Sequence, residues 1–171
     1  MSSRSLYCRG ELMAEEIERK FLISDDTWRD KVGREMRIRQ GYVASGRRCS
    51  MRVRSNGQRA WINLKSRESG MRRLEFEYEI PIGDAEVMLK KLCDGAFIDK
   101  TRYWVEDRGH TWEVDVFHGQ NSGLVIAEVE LNSITETVDL PDWIGQEVTD
   151  DERYYNISLV ENPFSRWRRK P

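Results

Sequence analysis

Charged side chains stand at alternate positions along one stretch of this chain after another, which restricts it to strands whose two faces differ. In the segment EIERKF, Glu16, Glu18 and Lys20 lie two residues apart, and residues at i, i+2 and i+4 of a strand share a face. The same spacing returns in Arg52 and Arg54; Asn63 and Lys65; Glu75, Glu77 and Glu79; Lys100 and Arg102; Glu113 and Asp115; and Glu128 and Glu130. Between them stand mostly hydrophobic residues, among them Ile17, Val53, Ile62, Leu64, Phe76, Tyr78, Tyr103, Val114, Val116 and Val129. Eight strands are predicted, over residues 15–23, 35–43, 48–54, 59–65, 73–80, 97–106, 111–117 and 124–131, with turns at NGQ (56–58) and DRGH (107–110).

Helical signals are fewer. Residues 24–32 offer Ser24 as an N-cap and an acidic first turn. Residues 83–95 offer Val87, Leu89, Leu92 and Cys93 as packing residues and Gly95 as a stop. A third helix is expected near TDDERYYNISLVEN, with Thr149 as its cap and Tyr154, Ile157, Leu159 and Val160 as its apolar contacts. No repeat or linker divides the chain, so residues 13–165 are read as one domain, 1–12 as a flexible extension and 166–171 as a tail.

Periodicity does not say which strand face is outside. One reading is an antiparallel sheet with its apolar face on a core and its charges in water. The other closes the sheet into an eight-stranded barrel with the charges inside and helices packed on its apolar exterior. Two features favour closure. Basic residues concentrate in RVR, KTR and Lys65 while acids concentrate in EFE, EVD and EVE, and the helices need an apolar face to cover. Nine acids and six bases fall on the charged face, and burying them dry and unpaired would cost several kcal/mol per ion. Such a lumen must be wet or hold an ionic ligand.

Composition removes several classes of partner. The chain has 28 Lys plus Arg against 30 Asp plus Glu, a net charge of −2 over 171 residues, which does not suit a non-specific nucleic-acid binder. Three cysteines share no metal-binding spacing, and His110 and His118 lack a third soft ligand. No apolar run approaches the roughly 18 residues of a membrane helix, and no signal-peptide core is present, so a cytoplasmic protein is expected.

The charges that remain describe an anion site and a hard-cation site side by side. Arginine forks and lysine point charges suit several phosphate oxygens, while clustered Asp and Glu suit Mg2+ or Mn2+, which bridge phosphates in turn. Both together fit a polyphosphate carried as its metal complex, attacked at phosphorus by water or by an internal hydroxyl.

At this level the chain resembles the CYTH, or triphosphate tunnel metalloenzyme, family. Glu16-Ile17-Glu18-Arg19-Lys20 matches that family's ExExK strand. RQGYV (39–43), RVR (52–54), WINLK (61–65), EFEYEIP (75–81), KTRYWV (100–105), WEVDVFHG (112–119), AEVEL (127–131) and EVTDDERYYNISL follow in the family's order, across roughly residues 14–165. The resemblance implies a fold mainly of β structure with some α: an eight-stranded antiparallel tunnel with helices outside. It implies a metal-dependent triphosphatase, using Mg2+ or Mn2+ and a small-molecule triphosphate, with a homodimer left open and neither nucleic acid nor membrane as partner.

By motif correspondence, Lys20, Arg52, Arg54, Lys65, Lys100 and Arg102 grip the triphosphate. Glu16, Glu18, Asp115, Glu128 and Glu130 hold metal, with Glu128 and Glu130 as the principal pair, and Glu77 organises metal or water, Glu75 being the other choice within EFEYE. Lys20, Glu77, Arg52 and Arg54 are the expected catalytic group, and the helix containing Asp150 to Leu159 closes or gates one tunnel end. Asn63 stands where many short bacterial members carry threonine. A class IV type adenylate cyclase and a binding module with little catalysis stay open as alternatives.

Overall fold

The computed structural model of this protein describes residues 15–66, 72–93 and 97–167. Eight strands follow in order: β1 (Glu15–Ile23), β2 (Val32–Ser45), β3 (Cys49–Ser55), β4 (Ala60–Ser66), β5 (Arg72–Ile80), β6 (Ile98–Asp107), β7 (His110–Phe117) and β8 (Val125–Glu130). Neighbours run β5-β4-β3-β2-β6-β7-β8-β1, all antiparallel. The ring closes where β1 pairs with β5 through Glu15, Glu16 and Ile17 opposite Leu74, Arg73 and Arg72. A ninth strand, β9 (Ile144–Glu147), continues along β1 through Phe21 and Ile23. The alternation did not predict it, because IGQE is four residues with no apolar rhythm.

Turn chemistry sets the hairpins. At the β6–β7 turn Arg108 (φ 48°) and Gly109 (φ 80°) both adopt left-handed backbone between the paired Asp107 and His110, the geometry of a two-residue hairpin that follows the strands' own twist. In β2, Gly41 is required by packing: a Cβ there would lie 2.8 Å from Cys93 Sγ and 3.1 Å from a Phe97 ring carbon.

Register carries the charged positions to one face and the apolar positions to the other. On the outside, Ile17, Phe21, Val105, Trp112, Val114 and Val129 pack beneath Trp28 and Trp143, with Trp112 edge-on to both Phe21 and Trp143. A second outer cluster sets Ala85 and Leu89 of α1 (Ile82–Lys91) on Val53 and Ala60. The third cluster lies across one end of the ring. There the lumen-facing positions turn apolar at Ile98, Phe117 and Ile126, and Leu159 from α2 (Asn156–Glu161) packs onto them with Leu124.

Several local expectations are corrected. Residues 24–32 form a single 3-10 turn, Thr27–Lys31; Asp25 accepts the Thr27 N–H at 2.9 Å, while the Ser24 hydroxyl donates to Asp142 O instead of capping. Thr149 caps nothing: Asp151 accepts the Arg153 N–H at the start of the 3-10 turn Glu152–Tyr154. Val87 and Leu92 are about half exposed, because α1 turns the i, i+4 pair Ala85 and Leu89 to the sheet. α1 lies mainly over β2, β3 and β4, and Phe76 and Tyr78 on the outer face of β5 stay exposed. Gly95 and the extension 1–12 lie outside the described residues. Trp167, in the expected tail, stacks edge-on against Tyr154 and Phe164. Among the described residues no helix is long and apolar enough to cross a membrane.

Candidate functional site

Exposure rises along the lumen-facing rows of β1, β3 and β5 towards one open end. Along β5 the side chains of Glu75, Glu77 and Glu79 are 17%, 35% and 50% exposed. Along β3 exposure rises from Arg52 to Arg54, and along β1 from Lys20 through Glu18 to Glu16. At the other end the rows of β6, β7, β8 and β1 run into Ile98, Phe117, Ile126 and Leu22 beneath α2. The lumen is a pocket with an apolar floor.

Near the floor, pairing is dense. Arg102 on β6 donates from Nε to Asp115 Oδ1 and from Nη2 to Asp115 Oδ2, both at 2.7 Å. Its Nη2 also reaches Glu128 Oε2 at 2.8 Å, and Nη1 binds Glu113. Lys100 binds the same Asp115, which is 1% exposed. Lys20 sits between Glu128 and Glu18, with Nζ 2.9 Å from Glu18 Oε1. Across the lumen, Lys65 binds Glu16 and lies 3.3 Å from Glu75 Oε2 and 3.5 Å from Glu18 Oε1. Arg52 and Arg54 reach Glu75 at 3.3 Å and Glu77 at 2.6 Å, and Asn63 Nδ2 donates to both of those carboxylates.

These neighbours move the proton affinities in opposite directions. Burial opposes the charge on Glu128, but Lys20, Arg102 and Lys100 outweigh it and hold the carboxyl well below its usual range. Burial likewise loses to Lys65 and Arg52 at Glu75, and to Lys20 and Lys65 at Glu18, which are also held low. At Glu16 burial, joined by the Glu18 charge, prevails over Lys65, and the pKa is pushed up to about 8. Burial, together with repulsion from Arg102, brings Lys100 down to about 8 despite Asp115.

Of the residues expected at the site, Lys20, Arg52, Arg54, Lys65, Lys100, Arg102, Glu16, Glu18, Glu77, Asp115 and Glu128 share this lumen. Glu130 faces Glu18 across the β1–β8 pairing and is exposed at the open end. The histidines have ordinary polar neighbours: His110 Nε2 lies 3.1 Å from Glu136 Oε1 and His118 Nε2 lies 2.9 Å from Thr101 Oγ1.

Other lumen groups went unread. Arg73 lies opposite Glu16, with its guanidinium 4.3 Å above the Tyr155 ring and 4.0 Å from Glu18 Oε1; extending the EFE rhythm two residues back would have found it. Gln40 and Tyr42 face inward opposite Arg54 and Arg52, but being uncharged they gave no signal. Burial raises the Tyr42 phenol's pKa even though Arg52 and Lys65 lie close to it.

Among the described residues four lumen atoms lie buried without a hydrogen-bond partner: the donors Arg52 Nε, Arg73 Nε and Gln40 Nε2, and the acceptor Asn63 Oδ1. Buried polar atoms are ordinarily paired, so the donors suit an anion rich in oxygens and the acceptor suits a cation. The carboxylate and amide oxygens fit a hard divalent ion. Among the described residues no three His, Cys, Asp or Glu are gathered into a ready-made cage; Glu16, Glu18, Glu75, Glu77, Asp115 and Glu128 each lean on a lysine or arginine. Taking up an anion together with its cation would exchange these partners rather than strand either set.

Comparison with known proteins agrees with this geometry. The CYTH domain family model matches residues 14–161. An inorganic triphosphatase of Acetivibrio thermocellus is 44% identical over 156 residues, which are 91% of this chain and 99% of the relative. An inorganic triphosphatase of Nitrosomonas europaea is 38% identical over 149 residues, covering 85% of this chain and 96% of the relative. The crystal structure of an inorganic triphosphatase superposes with a TM-score of 0.63 at 32% identity, covering 88% of this chain and 97% of that one. With the eight-stranded ring, the inward ExExK strand and a family match over most of its length, this chain belongs to the CYTH domain family.

Proposed function

We propose that this protein is a divalent-metal-dependent triphosphatase that hydrolyses inorganic triphosphate, or a closely related triphosphate, and releases orthophosphate. The observation that carries the reading is the closed-floored lumen in which Arg102, Lys100 and Lys20 interleave with Asp115, Glu128 and Glu18. The two curated relatives named above support it.

In this reading Arg52, Arg54 and Arg102 present planar forks to paired phosphate oxygens, and Lys20, Lys65 and Lys100 supply point charges between them. Glu128, Glu130, Glu18, Glu16 and Asp115 would hold Mg2+ or Mn2+. Such an ion supplies charge neutralisation to the phosphates and acidity to water in its shell. Glu77 orients water from the open side, and no side chain is needed as a covalent nucleophile. The apolar floor beneath Leu159 keeps bulk water from one side, so each charge in the lumen acts through a lower effective dielectric. A cytoplasmic setting belongs to the same reading.

The test measures orthophosphate and cyclic AMP from inorganic triphosphate, thiamine triphosphate and ATP, with Mg2+, Mn2+ or chelator. Orthophosphate release that favours the compact triphosphate and disappears in chelator is expected. Efficient cyclic AMP formation would replace the reading with a cyclase, and full turnover in chelator would remove the metal from it.

A further inference from the structure

The lumen lysine Lys20 has its backbone tied outside the ring. Among the described residues β1 pairs with β5 as far as Ile17 and with β9 from Phe21 onward, and Lys20 lies between the two pairings. The segment after β9 pairs with Lys20 there: Val148 N donates to Lys20 O at 2.8 Å, and Lys20 N donates to Thr149 Oγ1 at 3.1 Å. The Thr149 hydroxyl spends its own proton on Glu147 Oε1 at 2.7 Å, which leaves a lone pair for the Lys20 amide. Glu147 is itself fixed, since Arg19 donates to its two oxygens at 2.9 and 2.6 Å.

The far side of this strap is tied as well. Tyr155 donates from its hydroxyl to Thr149 O at 3.0 Å, and Arg73 lies over the Tyr155 ring and 4.0 Å from Glu18. The circuit therefore leaves the lumen at Lys20 and returns to it beside Glu18. Thr149 is 5% exposed, so water does not replace its hydroxyl.

We propose that Thr149 is a positioning residue for Lys20: its hydroxyl, oriented by the Arg19–Glu147 pair, fixes the depth at which the lysine reaches into the lumen. The inference rests on the triphosphatase reading. Lys20 Nζ has carboxylates on two sides, so a small shift of its backbone changes which of them it neutralises and where it meets a phosphate. Misplacement of a reacting group by about 1 Å costs up to about a hundredfold in rate. In an uncoupled strap the same hydroxyl would contribute to folding alone.

The experiment compares Thr149→Val, which keeps shape and loses the acceptor, with Thr149→Ser, which keeps the hydroxyl. Glu147→Ala serves as a third variant; its side chain is 40% exposed in the native protein, so it folds if Thr149→Val does not. Steady-state hydrolysis of inorganic triphosphate with Mg2+ is measured well below each melting temperature. Hydrogen exchange at the Lys20 amide is followed in metal-free protein. Thr149→Val should lose about tenfold in kcat with little change in KM and speed Lys20 amide exchange at least tenfold. Thr149→Ser should stay within about twofold in both, and Glu147→Ala should shift both in the direction of valine. Unchanged kcat with accelerated exchange, unchanged exchange, or equal losses in valine and serine would each overturn the proposal. A wild type without turnover would instead overturn the triphosphatase reading, while the exchange data would still report whether Thr149 holds Lys20.

Discussion

Arg102 and Asp115 face each other as a planar fork on a carboxylate, through two hydrogen bonds of 2.7 Å, with the carboxylate 1% exposed. A pair buried this deeply contributes to specificity more than to net stability, but removing one partner strands the other. Arg102→Ala should destabilise the protein by about 3 kcal/mol, near the low end for such losses, because Lys100 remains on Asp115 and is relieved of repulsion from Arg102. Arg102→Lys restores charge without the fork, and should recover most of the stability but little of the activity. Urea melts and kcat/KM for triphosphate check both; equal activity of wild type, alanine and lysine forms would place Arg102 outside the site.

Glu16 predicts a pH dependence. Its pKa is pushed up to about 8 by burial and by Glu18, so between the ordinary carboxylate range and pH 8 the folded protein binds more protons than the unfolded chain. Stability from this group is therefore greatest at low pH and is lost as pH rises towards 8. Glu16→Gln removes that slope. The melting temperature of the metal-free variant should rise relative to wild type between pH 5 and about pH 8; a parallel pair of curves would mean that Glu16 titrates normally.

Leu159 tests the floor. It is fully buried against Ile98, Phe117 and Ile126, and Leu159→Ala should cost about 2–5 kcal/mol. Val87, half exposed on α1, should accept serine within about 0.5 kcal/mol. Chemical denaturation of the two variants distinguishes the packed helix face from the solvated one.

The lumen was legible in the sequence wherever charge marked it. Glu18, Lys20, Arg52, Arg102 and Glu128 each stand two residues from another charge, and the pleat of a strand carries that spacing directly into space. The floor was written in the same rows, since Lys100 leads to Ile98, Asp115 to Phe117, Glu128 to Ile126 and Lys20 to Leu22. Charge alternation falls silent there, and apolar residues on the inner face resemble those on the outer face until register is known. Gln40 and Tyr42 were missed for the same reason. β9 and the role of Thr149 were not legible, because both depend on where the chain returns after a long excursion, and local pattern holds no record of that. Val87 reads as a packing residue because it is apolar, although Ala85 and Leu89 make the better-spaced stripe.

Glu128 and Glu130 of β8 are proposed to hold a metal ion beside the cations proposed to grip the phosphates. The most direct measurement is a calorimetric titration of Mn2+ into wild type and a Glu128→Gln, Glu130→Gln double variant, with thermal melts in chelator to confirm that both are folded. Glutamine preserves size and removes the negative field. This assignment predicts at least a tenfold loss of Mn2+ affinity, collapse of triphosphate hydrolysis, and a lower melting temperature in chelator, because Lys20 and Arg102 lose the charge of Glu128. Native-like Mn2+ affinity in the folded double variant would contradict it.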